Sequence, residues 1–135
     1  MTQAVNEALT IAEAAERSGV STHTLRYYER IGALREPPER APSGHRRYTE
    51  RDLSWIELLT RLRSTGMPIA TMLRYAELAR EGNGTAAERK ALLLAHRAEV
   101  AARVEQLRHD LELIDYKINT YNEIERERFG CFVGR

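Results

Sequence analysis

The sequence predicts a mainly α-helical protein: a small helical head carrying a short β-hairpin, followed by one long coiled-coil helix. Three observations lead there. Helix start and stop signals recur at short intervals up to residue 81. The stretch Leu34 to Tyr48 holds Pro37, Pro38, Pro42 and Gly44, a density that excludes a helix interior. From Thr85 to Glu127 there is neither proline nor glycine, and the apolar residues follow a heptad.

Met1 to Ala8 is short, polar and acidic, unlike a secretion signal with its basic and apolar regions. Thr10-Ile11-Ala12-Glu13 has the form of a capping box, in which the Thr hydroxyl and the Glu carboxylate each satisfy a free backbone N–H. The helix it opens places Ile11, Ala14 and Ala15 on one face and stops at Gly19. Ser21 caps a second helix, which carries Leu25 and Tyr28 inward and stops at Gly32. Between the two, Gly19 supplies the positive φ of a tight turn. Two short helices joined this way are a helix-turn-helix candidate, although many helical hairpins look alike.

The proline-rich stretch can turn at Gly44, and Arg46-Arg47-Tyr48 returns as a short strand, giving a hairpin with an irregular tip. Thr49-Glu50-Arg51-Asp52 caps a third helix with Leu53, Ile56, Leu59 and Leu62 at helical spacing, ended by Gly66. Pro68 suits the first turn of a fourth helix, which runs to about Arg80 with Ile69, Met72, Leu73 and Leu78 as its apolar positions. Gly82-Asn83-Gly84 breaks the pattern, and Thr85-Ala86-Ala87-Glu88 reads as another capping box.

The long helix that follows covers about 40 residues, or about 60 Å. Within it Val100, Val104, Leu107, Leu111, Ile114, Ile118 and Tyr121 are spaced 4-3-4-3-4-3. Val104, Leu111 and Ile118 fall at one core position of the heptad, and Leu107, Ile114 and Tyr121 at the other. An amphipathic helix of this length has no partner in so small a chain. The expected partner is a second copy of itself, making a homodimer.

A length of 135 residues suits one compact head plus an extended element. The net charge of +1 gives no case for a polyanionic partner, so any such case rests on where the charges sit. Between residues 40 and 51, Arg40, Arg46, Arg47, Arg51 and His45 are opposed by Glu50 alone. From Glu81 onward nine basic and ten acidic side chains balance. No apolar run approaches the roughly 20 residues of a membrane span. The lone Cys131 rules out an intramolecular disulfide framework, and a cytoplasmic protein is the expectation.

The run Leu9-Thr10-Ile11-Ala12-Glu13, Gly19-Val20-Ser21, Thr24-Leu25-Arg26-Tyr27-Tyr28-Glu29 and Gly32-Ala33-Leu34 resembles the MerR family of bacterial transcription regulators. Gly44-His45-Arg46-Arg47-Tyr48, Asp52-Leu53 and Leu62-Arg63-Ser64-Thr65-Gly66-Met67-Pro68 continue the resemblance over roughly residues 9 to 80. It implies a winged helix-turn-helix head and an antiparallel dimerisation helix. It also implies binding to double-stranded promoter DNA through two successive major grooves. The activated dimer would bend and untwist an over-long promoter spacer, so that RNA polymerase, an indirect partner, reads both elements. The division expected is a flexible N-terminus over residues 1–8, the winged head over 9–81, the coiled coil over 85–128 and a tail over 129–135.

On the second helix Arg26 lies opposite Leu25 and Tyr28 and should point to the groove. Tyr27 beside it can donate to a phosphate, and base edges would be read by Thr22, His23 and Thr24. Arg46 and Arg47 alternate across a strand and face opposite sides. The family resemblance favours Arg46 as the wing contact, with Arg47 next. His45 is either a phosphate contact or a plain wing-tip residue. Tyr48 closes the hairpin against the head, with a phosphate contact as its other reading.

No metal or cofactor is expected. Some members of the family sense metals through cysteines, but the helix start from Thr85 to Leu94 has none, and one cysteine builds no thiolate cage or iron–sulfur site. His23, His45, His96 and His109 lack ligand spacing. His96 and His109 are separated by about 20 Å of helix. Larger relatives bind drugs in an added C-terminal domain, for which the few residues after the helix leave no room. The short, electrophile-responsive branch shares Leu-Arg-x-Thr-Gly-Met, but Thr60 stands where its members often carry a cysteine. Cys131, in the apolar string Phe129-Gly130-Cys131-Phe132-Val133, is either inert in a frayed tail or a sensing thiol folded back on the dimer. The effector is left open. An architectural or recombination accessory protein can share the winged head, but it has no need of a long dimerising helix. An enzyme is not expected, because no carboxylate pair, activated nucleophile or phosphate-cradling loop is present.

Overall fold

A computed structural model describes residues 8–133, with side chains through Phe129. The chain divides into two units, residues 1–94 and 95–135. The first contains α1 (Ile11–Ser18), α2 (Thr22–Ile31), β1 (Glu39–Arg40), β2 (Arg46–Arg47), α3 (Glu50–Ser64), α4 (Ile69–Arg80) and the start of α5 (Ala86–Val133).

The helix boundaries follow from local chemistry. At α1, Thr10 Oγ1 accepts from the Glu13 N–H at 3.2 Å, and Glu13 Oε1 accepts from the Thr10 N–H at 2.9 Å. The same reciprocal pair forms between Thr49 and Asp52 at the start of α3. Gly19 closes α1 in the left-handed region, φ 80°, and its N–H donates to the Ala15 carbonyl. The hairpin pairs Glu39 with Arg47 and Arg40 with Arg46, antiparallel. One further bridge joins Leu9 to Tyr48, whose backbones exchange hydrogen bonds of 2.6 and 2.7 Å. The residue leading into α1 therefore extends the hairpin by one rung.

The core is built from the positions that helical spacing selects. Leu53, Ile56, Leu59 and Leu62 of α3 are buried against Ala14, Leu25, Tyr28 and Met72. Tyr48, Leu25, Ile56, Leu59, Met67 and Met72 are its largest fully buried side chains, and burying each of the leucine, isoleucine and methionine side chains contributes about 1.5–3 kcal/mol. The end of α2 is fixed with particular care. Gly32 terminates it in the left-handed region, φ 82°. The next carbonyls are then taken by side chains from other helices. Trp55 Nε1 donates to the Ala33 carbonyl at 2.9 Å, and Arg80 donates to the carbonyls of Gly32 at 3.1 Å and Leu34 at 2.8 Å. Trp55 also stacks on Tyr75, centroids 5.4 Å apart.

One expectation about the long helix is corrected. Thr85 does not cap it: its hydroxyl donates back to the Leu78 carbonyl at 2.6 Å, with the Gly82 carbonyl at 2.8 Å, and it accepts from Arg89. The orphan carbonyls at the end of α4 compete successfully for the hydroxyl, and residues 83–85 form a 3-10 turn instead. At the other end, helical backbone continues through Val133. The side chain of Cys131 lies outside the described residues, as does the N-terminal stretch before Ala8.

In the second unit no described side chain from Arg97 onward is buried. Val104, Leu107, Leu111, Ile114, Ile118 and Tyr121 are 44–61 % exposed on one side of the helix. Leu113 and Tyr116, exposed on the opposite side, do not belong to that stripe. Among the described residues no helix is long and apolar enough to cross a membrane.

Burial raises the phenols of Tyr28 and Tyr48 above their ordinary value of 10.0, and Glu29 adds to the rise at Tyr48 while Arg46 opposes it. A folded-state value raised above the unfolded one gives stability that is complete below the unfolded value. That stability is lost as pH climbs through the folded one. The melting temperature of the head is therefore expected to fall once pH exceeds about 10, followed by circular dichroism. A flat melting temperature between about pH 9 and 11 would contradict the burial of both rings.

Candidate nucleic-acid interface

The turn between α1 and α2 sets the angle at which α2 stands. Ser21 caps α2, accepting from the Thr24 N–H at 3.0 Å and donating to Thr24 Oγ1 at 3.0 Å. Leu25 and Tyr28 hold the inner face, and Tyr27 packs half-buried at the core margin with the Arg30 guanidinium 5.5 Å above its ring. That leaves His23, Arg26 and Arg30 exposed, with Thr22 and Thr24 half-buried beside them.

Opposite this face stands the hairpin. Gly44, at φ 91°, turns its tip, and the tip closes through hydrogen bonds from Ala41 N–H to the His45 carbonyl and from Gly44 N–H to the Ala41 carbonyl, both 2.8 Å. Between α1, α2 and the hairpin lies a cleft of about 400 Å³ lined by Thr10, Ile11, Arg26, Arg40, His45, Arg46 and Arg47, with Ser43 and Gly44 at its lip. Four guanidiniums converge there, no carboxylate lines it, and the start of α1 contributes the positive end of its dipole. Arginines lining a cleft can hold anionic oxygens such as those of phosphate groups.

The residues singled out in the sequence separate into three groups. Arg26, His45 and Arg47 open into the cleft, and among the described residues neither the Arg26 nor the Arg47 guanidinium makes a hydrogen bond or ion pair. Thr22 and His23 lie at the first turn of α2, with the Thr24 hydroxyl engaged by Ser21. Arg46 is engaged within the protein, and Tyr48 closes the hairpin against the head, the first of its two readings. Arg46 is half-buried, its Nε donating to Glu29 Oε1, so it is already occupied inside the protein. Tyr48 is fully buried and offers nothing to a partner at the surface; its place opposite Leu9 turns the ring into the core. The cleft also contains Arg40, Thr10 and Ile11, which the sequence reading did not assign. The arginine density around residue 40 was the available signal for the first.

A short recognition-type helix, a capped turn before it and a basic hairpin beside it define a winged helix-turn-helix DNA-binding module. The family model for the MerR HTH family regulatory protein matches residues 9–78, and a second, described as MerR, DNA binding, matches residues 53–114. An HTH-type transcriptional regulator of Haemophilus influenzae is 37 % identical over 114 residues, 84 % of each chain. The regulator AdhR of Bacillus subtilis is 39 % identical over 89 residues, 66 % of this chain and 63 % of AdhR. Among solved structures, a Listeria monocytogenes protein described as a MerR family transcriptional regulator superposes with a TM-score of 0.83 at 38 % identity, covering 92 % of this chain and 96 % of that one. HiNmlR, a MerR family regulator lacking the sensor domain and bound to promoter DNA, gives 0.78 at 35 % identity, covering 91 % and 95 %. The chain belongs to the MerR family and is a DNA-binding transcription regulator, not an enzyme.

The burial of Tyr48 carries its own test. Its hydroxyl has no hydrogen-bond partner among the described residues. Removing an unsatisfied buried hydroxyl is neutral or stabilising. Tyr48→Phe is expected to leave the thermal midpoint unchanged or raise stability by up to about 1 kcal/mol, with DNA affinity retained. A loss of DNA affinity without a loss of stability would restore the phosphate contact.

Proposed function

We propose that the chain acts as a homodimer that places α2 of each protomer in successive major grooves of a palindromic operator. Arg26, His45 and Arg47 hold the sugar–phosphate backbone, and Thr22, His23 and Thr24, at the leading turn of α2, face the base edges. The observation that carries this reading is the cleft of converging guanidiniums beside an exposed helix face. Its phosphate contacts are sequence-independent, so affinity should fall steeply with salt.

The exposed heptad of α5 supports the dimer. Six large apolar side chains, 44–61 % exposed on one side of a helix, form the kind of contiguous apolar patch that marks an interaction surface. A second copy running antiparallel covers them with the same residues, Val100 included. With two heads joined in this way, DNA bent and untwisted across an over-long spacer would let RNA polymerase engage both promoter elements in response to a signal. HiNmlR, a MerR family regulator bound to promoter DNA, supports the promoter-binding part of this reading.

A gel-shift titration on the DNA upstream of the chain's own gene, repeated across a salt series, tests the reading. Specific retardation that weakens with salt is expected, and no specific complex at low salt overturns it. Arg26→Ala should cost about 1–3 kcal/mol of binding and flatten the salt dependence, leaving the circular dichroism of the head intact. Leu111→Glu puts carboxylates into the seam and should yield monomers by sedimentation, with operator affinity lost at least tenfold, an order-of-magnitude expectation for unpaired buried charge. A dimer that survives the substitution removes the seam.

A further inference from the structure

One acid stands behind the cleft. Glu29, on α2 one turn beyond Arg26, is only 21 % exposed. Its Oε1 accepts from Arg46 Nε, and its Oε2 lies 3.8 Å from Arg40 Nη2. Arg40 and Arg46 are directly paired across the two strands of the hairpin, so a single carboxylate holds both strands. Arg40 passes the restraint on, donating from Nη1 to the Gly44 carbonyl at 2.9 Å, which fixes the turn at the tip. Among the described residues this is the ion-paired link between α2 and the hairpin.

We propose that Glu29 is a positioning residue for DNA recognition: it sets the hairpin against α2 and withholds the charge of about one guanidinium per head from phosphate. The proposal rests on the DNA-binding reading above. Carboxylate and phosphate compete for the same donors, because both present planar-accessible anionic oxygens to a guanidinium fork. An arginine held by an internal carboxylate releases fewer counterions when DNA arrives, which lowers sequence-independent affinity. The same restraint fixes the hairpin beforehand, so the matching site does not have to order it, and specific binding gains. Glu29 therefore moves the two affinities in opposite directions, widening the gap between operator and bulk DNA. A side chain that only stabilised the head would move them together.

The test uses the full chain, its upstream DNA and an unrelated duplex of the same length. Glu29→Gln keeps the shape and removes the charge. The expected result is a steeper salt dependence on the unrelated duplex, by about 0.9 in slope per head, with non-specific affinity rising roughly tenfold at low salt. Discrimination between the two duplexes should fall by roughly tenfold or more. Glu29→Asp retains the charge at shorter reach. It is expected to keep the wild-type slope and to lose part of the discrimination, and it decides the matter if the glutamine variant does not fold. The proposal is overturned if Glu29→Gln weakens both affinities with the slope unchanged, or if Glu29→Asp steepens the slope as well. If the wild-type chain itself shows no preference for its upstream DNA, the DNA-binding reading has failed. Preference by the wild type with no change in slope on substitution sinks the positioning role alone.

Discussion

The architecture of the head depends on how the chain leaves α2. A helix ends with carbonyls that have lost their intrahelical partners, and leaving these unpaired away from water is costly. Here the carbonyls of Gly32, Ala33 and Leu34 are taken by Arg80 and Trp55, side chains of α4 and α3. Three helices are thereby tied at one point, and α2 is held from behind. Its inner face contributes Leu25 and Tyr28 to the core, so little freedom remains in the angle at which Arg26 faces outward. The hairpin is attached to this frame twice: by the Leu9–Tyr48 backbone exchange at its base and by Glu29 along its side.

What the sequence made legible divides along a physical line. The caps of α1 and α3, the glycine stops and the buried periodic residues of α3 depend on neighbours within a few positions, and each was read correctly from local spacing. Thr85 was misread because two demands meet at one hydroxyl. A cap for α5 and a donor for the end of α4 are equally local, and only the folded turn decides between them. The internal pairing of Arg46 was not legible for a different reason. Alternation along a strand says that neighbours face opposite sides, but which of them is held internally depends on Glu29, which lies 17 positions away. Spacing also revealed the apolar stripe of α5, while Leu113 and Tyr116 lie outside that heptad and are exposed among the described residues.

The chemistry of the cleft follows from a division of labour among arginines that are alike in sequence. Among the described residues the guanidiniums of Arg26 and Arg47 have no hydrogen-bond or ion-pair partner, whereas Arg40 and Arg46 are spent on structure. A chain with a net charge of +1 thus concentrates its positive potential in one place without carrying a strongly basic surface throughout. The acids along α5 balance its bases, which keeps that helix from competing for the same polyanion.

Trp55 is the chain's one tryptophan, and it sits on the knot that holds the recognition helix, bonded to the Ala33 carbonyl and lying against Tyr75. Its ultraviolet emission therefore comes from a single, known place. Loosening of the α2 end breaks the bond from the indole N–H to the Ala33 carbonyl and opens that edge to water, which alters colour and intensity. The protein carries, without any added label, an optical gauge of whether its reading head is seated.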